Sequence, residues 1–520
     1  MRLPRWNGRR ATATSASGRR FASALCGIAL VQPLSGCILG TERPDIALNI
    51  PNLYRAAPRV PEAALPKLDW WTGFRSKELT ALIEEADVGN FDIAAAVARI
   101  VQADAQARVT GAALLPTVDF NASATRTRSS QAGSTTVVTG SGAVVTGSGG
   151  QSERVSYSGS IAASYELDFW GKNRAALRSA EEVAVAARFD REVVALTTMA
   201  SVANAYFLVL GAQDRLRIAR SNLQAAAHIL DLIRQRVGVG TASALDTAQQ
   251  EALVAALRAS IPPLDQQVRQ NIATLGLLVG RAPENLTVRG GSMSAVAIPR
   301  VTPGLPSQLL TQRPDIREAE ANLASASASV EQARAAFLPS IQLTGEQGLT
   351  STALKNLFTP QASFYTIAAG LAQPIFHGGS LQGQLDLQRG RQEELLQTYR
   401  KSIISAFTDV EKALIAVQDL AQQERLQREV VVASRRAYDL SEQRLREGTI
   451  DLVTLLQTQQ TWFQAQDNLS QVRLARLQAM VSLFQALGGG WPAKRGGMVA
   501  REASWTPAPP RIPPNFPFPQ

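Results

Sequence analysis

The feature that most constrains this chain is an internal repeat, in which segments of the first half recur in the same order in the second half. The matched pairs are Asn90-Phe91-Asp92-Ile93 with Arg313-Pro314-Asp315-Ile316, Leu115-Pro116-Thr117-Val118 with Leu338-Pro339-Ser340-Ile341, Phe169-Trp170-Gly171 with Phe376-His377-Gly378, Gly240-Thr241 with Gly448-Thr449, and Gly280 with Gly488. Such a repeat indicates that one structural unit occurs twice. The order predicted for each unit is helix, hairpin, long helix, turn and helix.

Two very long segments lack the residue that most often ends a helix. No proline occurs from Gly171 to Arg236 or from Gly379 to Glu447. Helices of roughly 65–70 residues would measure on the order of 100 Å at 1.5 Å per residue. Apolar residues recur at intervals of three and four, so these helices must pack against other helices as in coiled coils. The apolar stripes are Val193, Leu196, Ala200, Ala203, Phe207 and Leu210, and Leu452, Leu455, Leu456, Phe463 and Leu469.

Four short segments alternate apolar and polar residues with a period of two, as the strands of a membrane β-barrel do. These segments are 117–125, 154–169, 341–349 and 364–375, and residues 129–151 between the first two are expected to form a surface loop. Four strands cannot close a barrel, because about eight is the practical minimum. If these strands span a membrane, several copies must share one barrel. Two copies give a filled eight-stranded barrel and three give a twelve-stranded barrel with a lumen; the residues leave this choice open.

The N-terminus is typical of a secreted lipoprotein. A basic stretch precedes the apolar run Phe21 to Val31, which is shorter than the about 20 residues that span a bilayer. The run ends in Leu34-Ser35-Gly36-Cys37, which resembles a lipobox whose cysteine carries the lipid. The alternatives are an ordinary signal peptide that contains a cysteine and a twin-arginine signal at Arg19-Arg20-Phe21. Ile38 after the cysteine favours delivery to the outer membrane, by resemblance to other bacterial lipoproteins.

The charge and cysteine content exclude several other classes of protein. The net charge is +10, but six arginines precede Cys37, and without them 47 basic residues stand against 43 acidic ones. This balance does not indicate a nucleic-acid surface. The second cysteine, Cys26, lies inside the predicted signal, so the mature chain would have neither a disulfide nor a reactive thiol. No later apolar stretch is expected to be long enough to span a membrane as a helix.

These signals predict a mainly α-helical protein with a membrane β-barrel: long antiparallel helices that pack as coiled coils, with four strands contributed by each chain. The predicted domains are a signal peptide with lipobox (1–36), a lipidated extended segment (37–74), a first repeat (75–290) with hairpin 117–169 and helices 171–236 and 241–280, a second repeat (291–490) with helix 314–337, hairpin 341–375 and helices 379–447 and 449–488, and a Pro-rich tail (491–520) expected to be disordered.

Several motifs resemble the TolC family of outer-membrane efflux ducts, in particular its lipid-anchored branch of factor lipoproteins like OprM and NodT. These motifs are Gln312-Arg313-Pro314-Asp315-Ile316-Arg317-Glu318-Ala319-Glu320, Leu338-Pro339-Ser340-Ile341, Tyr165-Glu166-Leu167-Asp168-Phe169-Trp170-Gly171 and Pro374-Ile375-Phe376-His377-Gly378-Gly379. The resemblance covers roughly residues 60–490. It implies a homotrimer in the outer membrane, with a twelve-stranded barrel above a long antiparallel coiled-coil tunnel in the periplasm. It also implies two partners, a periplasmic adaptor and an inner-membrane pump of the resistance-nodulation-division type. It implies no enzymatic activity and no cofactor besides the covalent lipid on Cys37.

The same resemblance implies roles for two sets of residues. The helix-to-helix turns, with Arg236, Gly240, Arg444 and Gly448, would meet the adaptor, although a plain turn is the simpler interpretation. A periplasmic gate would contain Asp246. Two acidic gate positions of the family fall on Thr454 and Gln457 here. Asp451, one turn away, is either a substitute for them or an acid that complements the start of its helix.

No catalytic or metal-binding motif is visible. His228 and His377 are the only histidines, and neither has a ligand-spaced neighbour. Trp170 and Tyr165 fit either an aromatic belt at the membrane interface or packing at a strand-to-helix junction. A type I protein secretion duct and a purely structural periplasmic coiled coil remain as alternatives. The lipobox argues against the first and the alternating strands argue against the second.

Overall fold

The structure is a computed structural model that describes most of the chain between Asp69 and Gly489. The described residues are 48, 54, 69–128, 136–138, 144–146, 153–299, 301 and 310–489. The predicted signal peptide, Cys37 and the predicted tail 491–520 lie outside the described residues. Two compact units divide the described residues: one lies within 111–176 and 328–386, and the other within 69–110, 177–327 and 387–489.

Helices account for most of the described residues. They are α1 (Lys77–Gly89), α2 (Phe91–Gly111), α3 (Lys172–Gly238), α4 (Ala244–Val279), α5 (Pro314–Ala335), α6 (Ser380–Arg446) and α7 (Leu452–Ala486). Helices α3 and α6 each have 67 residues, so each is about 100 Å long at 1.5 Å per residue. Helix α4 continues through Pro262 and Pro263, both of which are exposed.

The strands belong to the first unit. They are β1 (Thr117–Arg128), β2 (Thr136–Val138), β3 (Val144–Thr146), β4 (Glu153–Leu167), β5 (Ser340–Ser351) and β6 (Ser363–Ala372). Four of them form an antiparallel sheet in the order β1-β4-β5-β6. The pairing of β4 with β5, from Tyr157 to Leu167, joins the two halves of the chain. Strands β1 and β6 are the edges, so each has one side without a strand partner in the described part of the chain.

Part of the segment expected to be a loop is instead a short hairpin. The sequence predicts a loop over 129–151, but β2 and β3 pair within it, with Val137 opposite Val145. Valine and threonine favour extended backbone because their branched side chains fit a pleated surface. Stretches of three residues are too short for the period of two to distinguish them from a Ser- and Gly-rich loop.

The register of the sheet sorts its side chains by polarity. On one face, neighbouring cross-strand rows are Val118-Ala163-Gly345-Ile367 and Phe120-Ile161-Gln347-Tyr365; on the other face, the row between them is Asp119-Ala162-Glu346-Thr366. Phe120 is 72% exposed and Ile367 is 82% exposed. The sheet therefore has an apolar face that the described chain leaves uncovered and a polar face opposite it.

Helix α3 corrects the expectation that no later segment is apolar enough to cross a membrane. An 18-residue window of this helix has a mean hydropathy of 1.8, and 56% of the window is buried within the protein. Phe207, Val209 and Leu210 of α3 are all buried. Because a helix in a protein core has the same composition, burial against neighbouring helices accounts for this stretch.

Aromatic rings form the centre of the main core of the second unit. The ring centroids of Phe74 and Phe207 lie 5.1 Å apart in an edge-to-face contact, and Trp70 stacks on Phe484 at 5.1 Å. All four side chains are buried. Aromatic pairs in this geometry add about 0.5–1.5 kcal/mol each to the area they bury, so the cluster holds the turn Trp70–Phe74 against α3 and α7.

The motif from Tyr165 to Gly171 forms the junction between β4 and α3, and its side chains stabilise that junction. The Asp168 carboxylate accepts hydrogen bonds from the backbone N–H groups of Asn173 and Arg174, both at 2.9 Å, and so caps the start of α3. The Trp170 indole N–H donates to the Pro339 carbonyl oxygen at 2.7 Å. Of the two interpretations of Trp170, these contacts favour packing at the strand-to-helix junction.

Gly280 provides a test of the packing between α4 and α1. It ends α4 with a φ of +82°, and a Cβ there would overlap the carbonyl oxygen of Gly89. We expect Gly280→Ala to lower the unfolding free energy by about 2 kcal/mol or more, because left-handed backbone alone costs a side chain about 1–2 kcal/mol. Chemical unfolding followed by circular dichroism measures this change. Gly238→Ala is the control, since a Cβ at Gly238 has no neighbour within 4 Å, and an equal loss in both variants would contradict the prediction.

Candidate functional site

Helices α3 and α6 end in turns of the same geometry, at the positions that the sequence predicts for adaptor docking. Gly240 has a φ of +78° and Gly448 a φ of +74°, in the region that favours glycine. In each turn, a threonine N–H bonds to the carbonyl oxygen of the arginine five residues earlier. These bonds run from Thr241 to Arg236 at 2.8 Å and from Thr449 to Arg444 at 3.0 Å. Both turns are therefore Schellman motifs that end their helices.

The two turns of one chain are connected by Arg236. Its Nη1 donates to the carbonyl oxygen of Leu445, at the end of α6, at 2.6 Å. Its Nη2 lies 3.7 Å from the place where a Cβ of Gly448 would stand. The half-buried Arg236 therefore holds the end of α3 against the end of α6, in addition to belonging to its own turn.

Arg444 occupies the corresponding position of the second turn but has a different environment. The side chain is exposed, and its guanidinium makes no hydrogen bond or ion pair with the described residues. Gly240 and Gly448 are exposed as well. Three of the four residues predicted for docking are therefore accessible at the helix ends, and the fourth joins the turns.

The predicted gate residue Asp246 belongs to the first turn of α4. Its carboxylate accepts hydrogen bonds from the backbone N–H of Ser243 at 2.8 Å and from the Ser243 hydroxyl at 3.0 Å. In return, the Asp246 N–H donates to the Ser243 hydroxyl oxygen at 3.2 Å. This reciprocal capping box fixes the carboxylate at the start of α4.

The other predicted gate residues begin α7. Asp451 is the N-cap of this helix, and its carboxylate accepts a hydrogen bond from the Thr454 N–H at 2.9 Å. Hydrogen bonds from Thr454 lower the pKa of the Asp451 carboxyl below its ordinary value, because they favour the ionised carboxylate that accepts them. Thr454 and Gln457 are exposed on α7. The geometry supports the interpretation of Asp451 as a helix-start acid.

Two substitutions of Asp451 separate its role in capping from its charge. We expect Asp451→Ala to speed hydrogen exchange in the first turn of α7, because the Thr454 N–H loses its acceptor. Asp451→Asn is expected to preserve the protection, because asparagine caps helices as well as aspartate does. Exchange mass spectrometry of the peptide that begins α7 measures both. Exchange in Asp451→Ala as slow as in the parent would show that the carboxylate does not act as a cap, and equally fast exchange in both variants would show that its charge is required.

Metal ligands are not clustered in the described part of the chain. No group of three or more His, Cys, Asp or Glu side chains there is close enough to hold an ion. His228 lies in α3, and His377 lies between β6 and α6. The geometry of the described residues therefore offers no metal centre at either histidine.

A buried ionic cluster between α6 and α7 was not predicted from the sequence. Glu424 of α6 has only 1% of its side chain exposed, and three arginines converge on it. Its carboxylate lies 2.5 Å from Arg428 Nη2, 2.7 Å from Arg476 Nη1 and 3.4 Å from Arg473 Nη1. Burial opposes ionisation of Glu424, but the hydrogen bonds from Arg476 and Arg428 outweigh it and lower the pKa of the carboxyl. Helices α6 and α7 are thus joined by one carboxylate.

Comparison with known proteins assigns the chain to a family. The family model for outer membrane efflux proteins matches residues 82–281 and 305–489. The pyoverdine export outer membrane protein OpmQ of Pseudomonas aeruginosa is 40% identical over 478 residues, which cover 90% of this chain and 98% of the relative. The toluene efflux pump outer membrane protein TtgF of Pseudomonas putida is 33% identical, with 89% of this chain and 96% of the relative covered.

A solved structure agrees with this assignment. The outer-membrane channel OprN superimposes with a TM-score of 0.77 and 27% identity, and the match covers 87% of this chain and all of that one. The helices and the four-stranded sheet, the family match and the similar relatives lead to one conclusion. The chain belongs to the outer membrane efflux proteins, the family of outer-membrane channels in tripartite efflux systems.

Proposed function

We propose that this chain forms a passive trimeric conduit through the outer membrane, with a barrel made of the sheets of three copies. The observation that carries the proposal is the four-stranded sheet with open edges at β1 and β6. Unpaired backbone groups in lipid cost several kcal/mol each, so a sheet in a bilayer needs a partner at both edges. The uncovered apolar face would meet lipid, and the polar face would line the lumen.

The number of copies follows from the proposed activity. Two copies would give eight strands, and barrels of that size are filled by their own side chains or hold one small ligand. Three copies would give twelve strands and leave room for a solute to pass. A conduit therefore requires the larger assembly, and the internal repeat would give the trimer six similar helical units.

The exported cargo is proposed to be small toxic molecules. The relatives are named for the export of pyoverdine and of toluene, and the predicted lipobox argues against a duct for proteins. The conduit would receive its cargo from an inner-membrane pump of the resistance-nodulation-division type through a periplasmic adaptor. Genes for an ABC exporter with its protein substrate beside this one would instead favour a type I secretion duct.

The adaptor is proposed to dock on the two helical turns. Gly240 and Gly448 are exposed there and present backbone rather than side chain, so an adaptor can approach closely. Arg236 and Arg444 flank them in the chain. The first turns of α4 and α7, with Asp246, Asp451, Thr454 and Gln457, would line the periplasmic end of the conduit. The lipid on Cys37 would anchor each chain to the membrane.

Five measurements test this function. We expect the protein to require detergent for extraction, to have the mass of three chains in native mass spectrometry, and to carry diacylglycerol on Cys37. In planar bilayers it should conduct ions, and a photo-crosslinker at Gly448 should label the adaptor. A monomer that is soluble without detergent would exclude the conduit. A conducting trimer that never labels the adaptor from Gly448 would retain the conduit and move the docking surface elsewhere.

A further inference from the structure

The apolar face of the sheet carries no charge over the height of a membrane. Its cross-strand rows run from the end at which the strands connect to the helices, with Leu167-Ile341-Leu371, to Ala124-Tyr157-Ser351. No charged residue lies in these rows or in those between them. Strand β4 rises about 33 Å from Leu167 to Tyr157, which becomes about 25 Å at the usual strand tilt of a barrel. This is the height of the apolar band of an outer-membrane barrel.

Two arginines lie on the same face directly beyond this band. Arg126 stands opposite Val155 and Arg128 stands opposite Glu153, in the next two rows away from the helices. These rows lie about 5–10 Å beyond the apolar band. Lipid headgroups occupy this level, because they lie directly outside the hydrocarbon. In the proposed conduit it is the outer leaflet, since the helices leave the other end of the sheet for the periplasm.

The ion pair at this end of the sheet leaves one arginine over. Arg126 Nη2 lies 2.6 Å from Glu153 Oε2, and both side chains are exposed. Exposed pairs of this kind are weak, so Arg126 remains available to another anion. Arg128 is also exposed and makes no ion pair with the described residues. The two outermost rows therefore have more positive than negative charge on the apolar face.

The segments that connect the strands at this end contain no acid that could balance the excess. Residues 129–152 include no charged residue, and residues 352–362 include only Lys355. Beside the two arginines, Arg154 is a further cation here, and Glu153 is the one carboxylate. Four cations thus stand against one acid in each chain, and the missing negative charge has to come from outside the chain.

We propose that Arg126 and Arg128 bind the phosphate of a lipid headgroup in the outer leaflet. This inference rests on the proposed conduit, which places their rows at the level of the headgroups. Guanidinium groups form pairs of parallel hydrogen bonds with phosphate oxygens, and the phosphate supplies the charge that the chain lacks there. The lipid tails would lie along the uncharged rows, against exposed rings such as Phe120 and Tyr365.

Arg154 separates lipid binding from the attraction of any positive charge. It is exposed and stands opposite Thr127, between the rows of Arg126 and Arg128. Its height in the sheet is therefore the same as theirs, but it belongs to the polar face. In the proposed barrel that face lines the lumen, out of reach of a lipid headgroup.

Native mass spectrometry of the purified trimer with added lipid tests the proposal. The parent should bind diphosphoryl lipid A more tightly than monophosphoryl lipid A, which lacks one of the two phosphates. Replacing both arginines, by Arg126→Gln and Arg128→Gln, should weaken binding of diphosphoryl lipid A about tenfold or more. Arg154→Gln should leave the affinity unchanged. A large excess of inorganic phosphate at constant ionic strength should not displace the lipid.

Four results would overturn the inference: equal affinity of the parent for the two lipids, undiminished affinity in the double variant, an equal loss in Arg154→Gln, or displacement by inorganic phosphate, which would identify the free anion as the ligand. If the double variant does not assemble, Arg128→Gln alone provides the same test, because it keeps the pair of Arg126 with Glu153. A parent protein whose native mass is monomeric would instead contradict the proposed function.

Discussion

Replacing Ile367 with lysine is expected to abolish the assembled barrel. Ile367 lies on β6, is 82% exposed and belongs to the apolar face of the sheet. In the proposed trimer this face meets lipid, where a lysine near the middle of the bilayer costs about 2–4 kcal/mol. The substitution occurs once in every chain, so a trimer carries the cost three times. We expect the yield of membrane-inserted trimer, measured by native mass spectrometry of outer-membrane extracts, to fall at least tenfold.

The adjacent residue provides the matched control. Thr366 is exposed on the same strand, but it lies in the row of Asp119 and Glu346 on the polar face. Thr366→Lys adds the same charge at nearly the same height in the sheet, facing the proposed water-filled lumen. Its trimer yield should stay within twofold of the parent. If Thr366→Lys lost the trimer and Ile367→Lys kept it, the two faces would have to be exchanged.

The features that the sequence predicted are those whose causes lie within a few residues. Gly240 and Gly448 end their helices because only glycine adopts the left-handed backbone easily. Asp451 bonds to an N–H three residues away, so its role as a helix-start acid was visible in the local sequence. The strands were recognisable because each one has an apolar and a polar face, and this produces alternation along the chain.

In strand β5 the alternation of apolar and polar residues is too weak to predict a strand reliably. Gly345 and Gln347 stand on its apolar face, so the alternation there is weak, yet β5 pairs along β4 from Tyr157 to Leu167. The pairing of β5 depends on the backbone hydrogen bonds that it forms with the neighbouring strands. The side-chain pattern of β5 alone does not predict these bonds. The short strands β2 and β3 were missed for a related reason, since three residues cannot display a period.

Contacts between helices were not predictable from one sequence. Arg236 reaches Leu445 in the other half of the chain, and Arg473 and Arg476 meet Glu424 across two helices. Charged residues at helical spacing usually lie on the solvent-exposed face of a helix. Nothing in the local sequence distinguishes the charged residues that form these contacts from those that are exposed to solvent. The relative rotation of long helices decides which charges are buried, and this rotation depends on packing along the whole helix.

Glu424→Gln is expected to be strongly destabilising, because it removes the buried carboxylate on which three arginines of α6 and α7 converge. The carboxylate is 99% buried and forms ion pairs with Arg476 and Arg473, which are themselves mostly buried. Removing one partner of a buried ion pair typically costs about 3–5 kcal/mol, because the remaining charge stays desolvated. We expect a loss of that size in the free energy of unfolding, measured by chemical denaturation in detergent and followed by helical circular dichroism.

The pH dependence of the unfolding free energy, compared between the parent protein and Glu424→Gln, tests the same ionic contact. Because the folded pKa of Glu424 is lowered from its ordinary value of 4.5, its contribution is fully present above that value and is lost as the pH falls through the lower folded pKa. The stability difference between the parent and Glu424→Gln should therefore be constant at neutral pH and shrink below pH 4.5. Glu429→Gln, an exposed position on the same helix, should change stability by less than about 0.5 kcal/mol. A difference between the parent and Glu424→Gln that persists undiminished in acid would show that it does not come from the titration of the carboxylate.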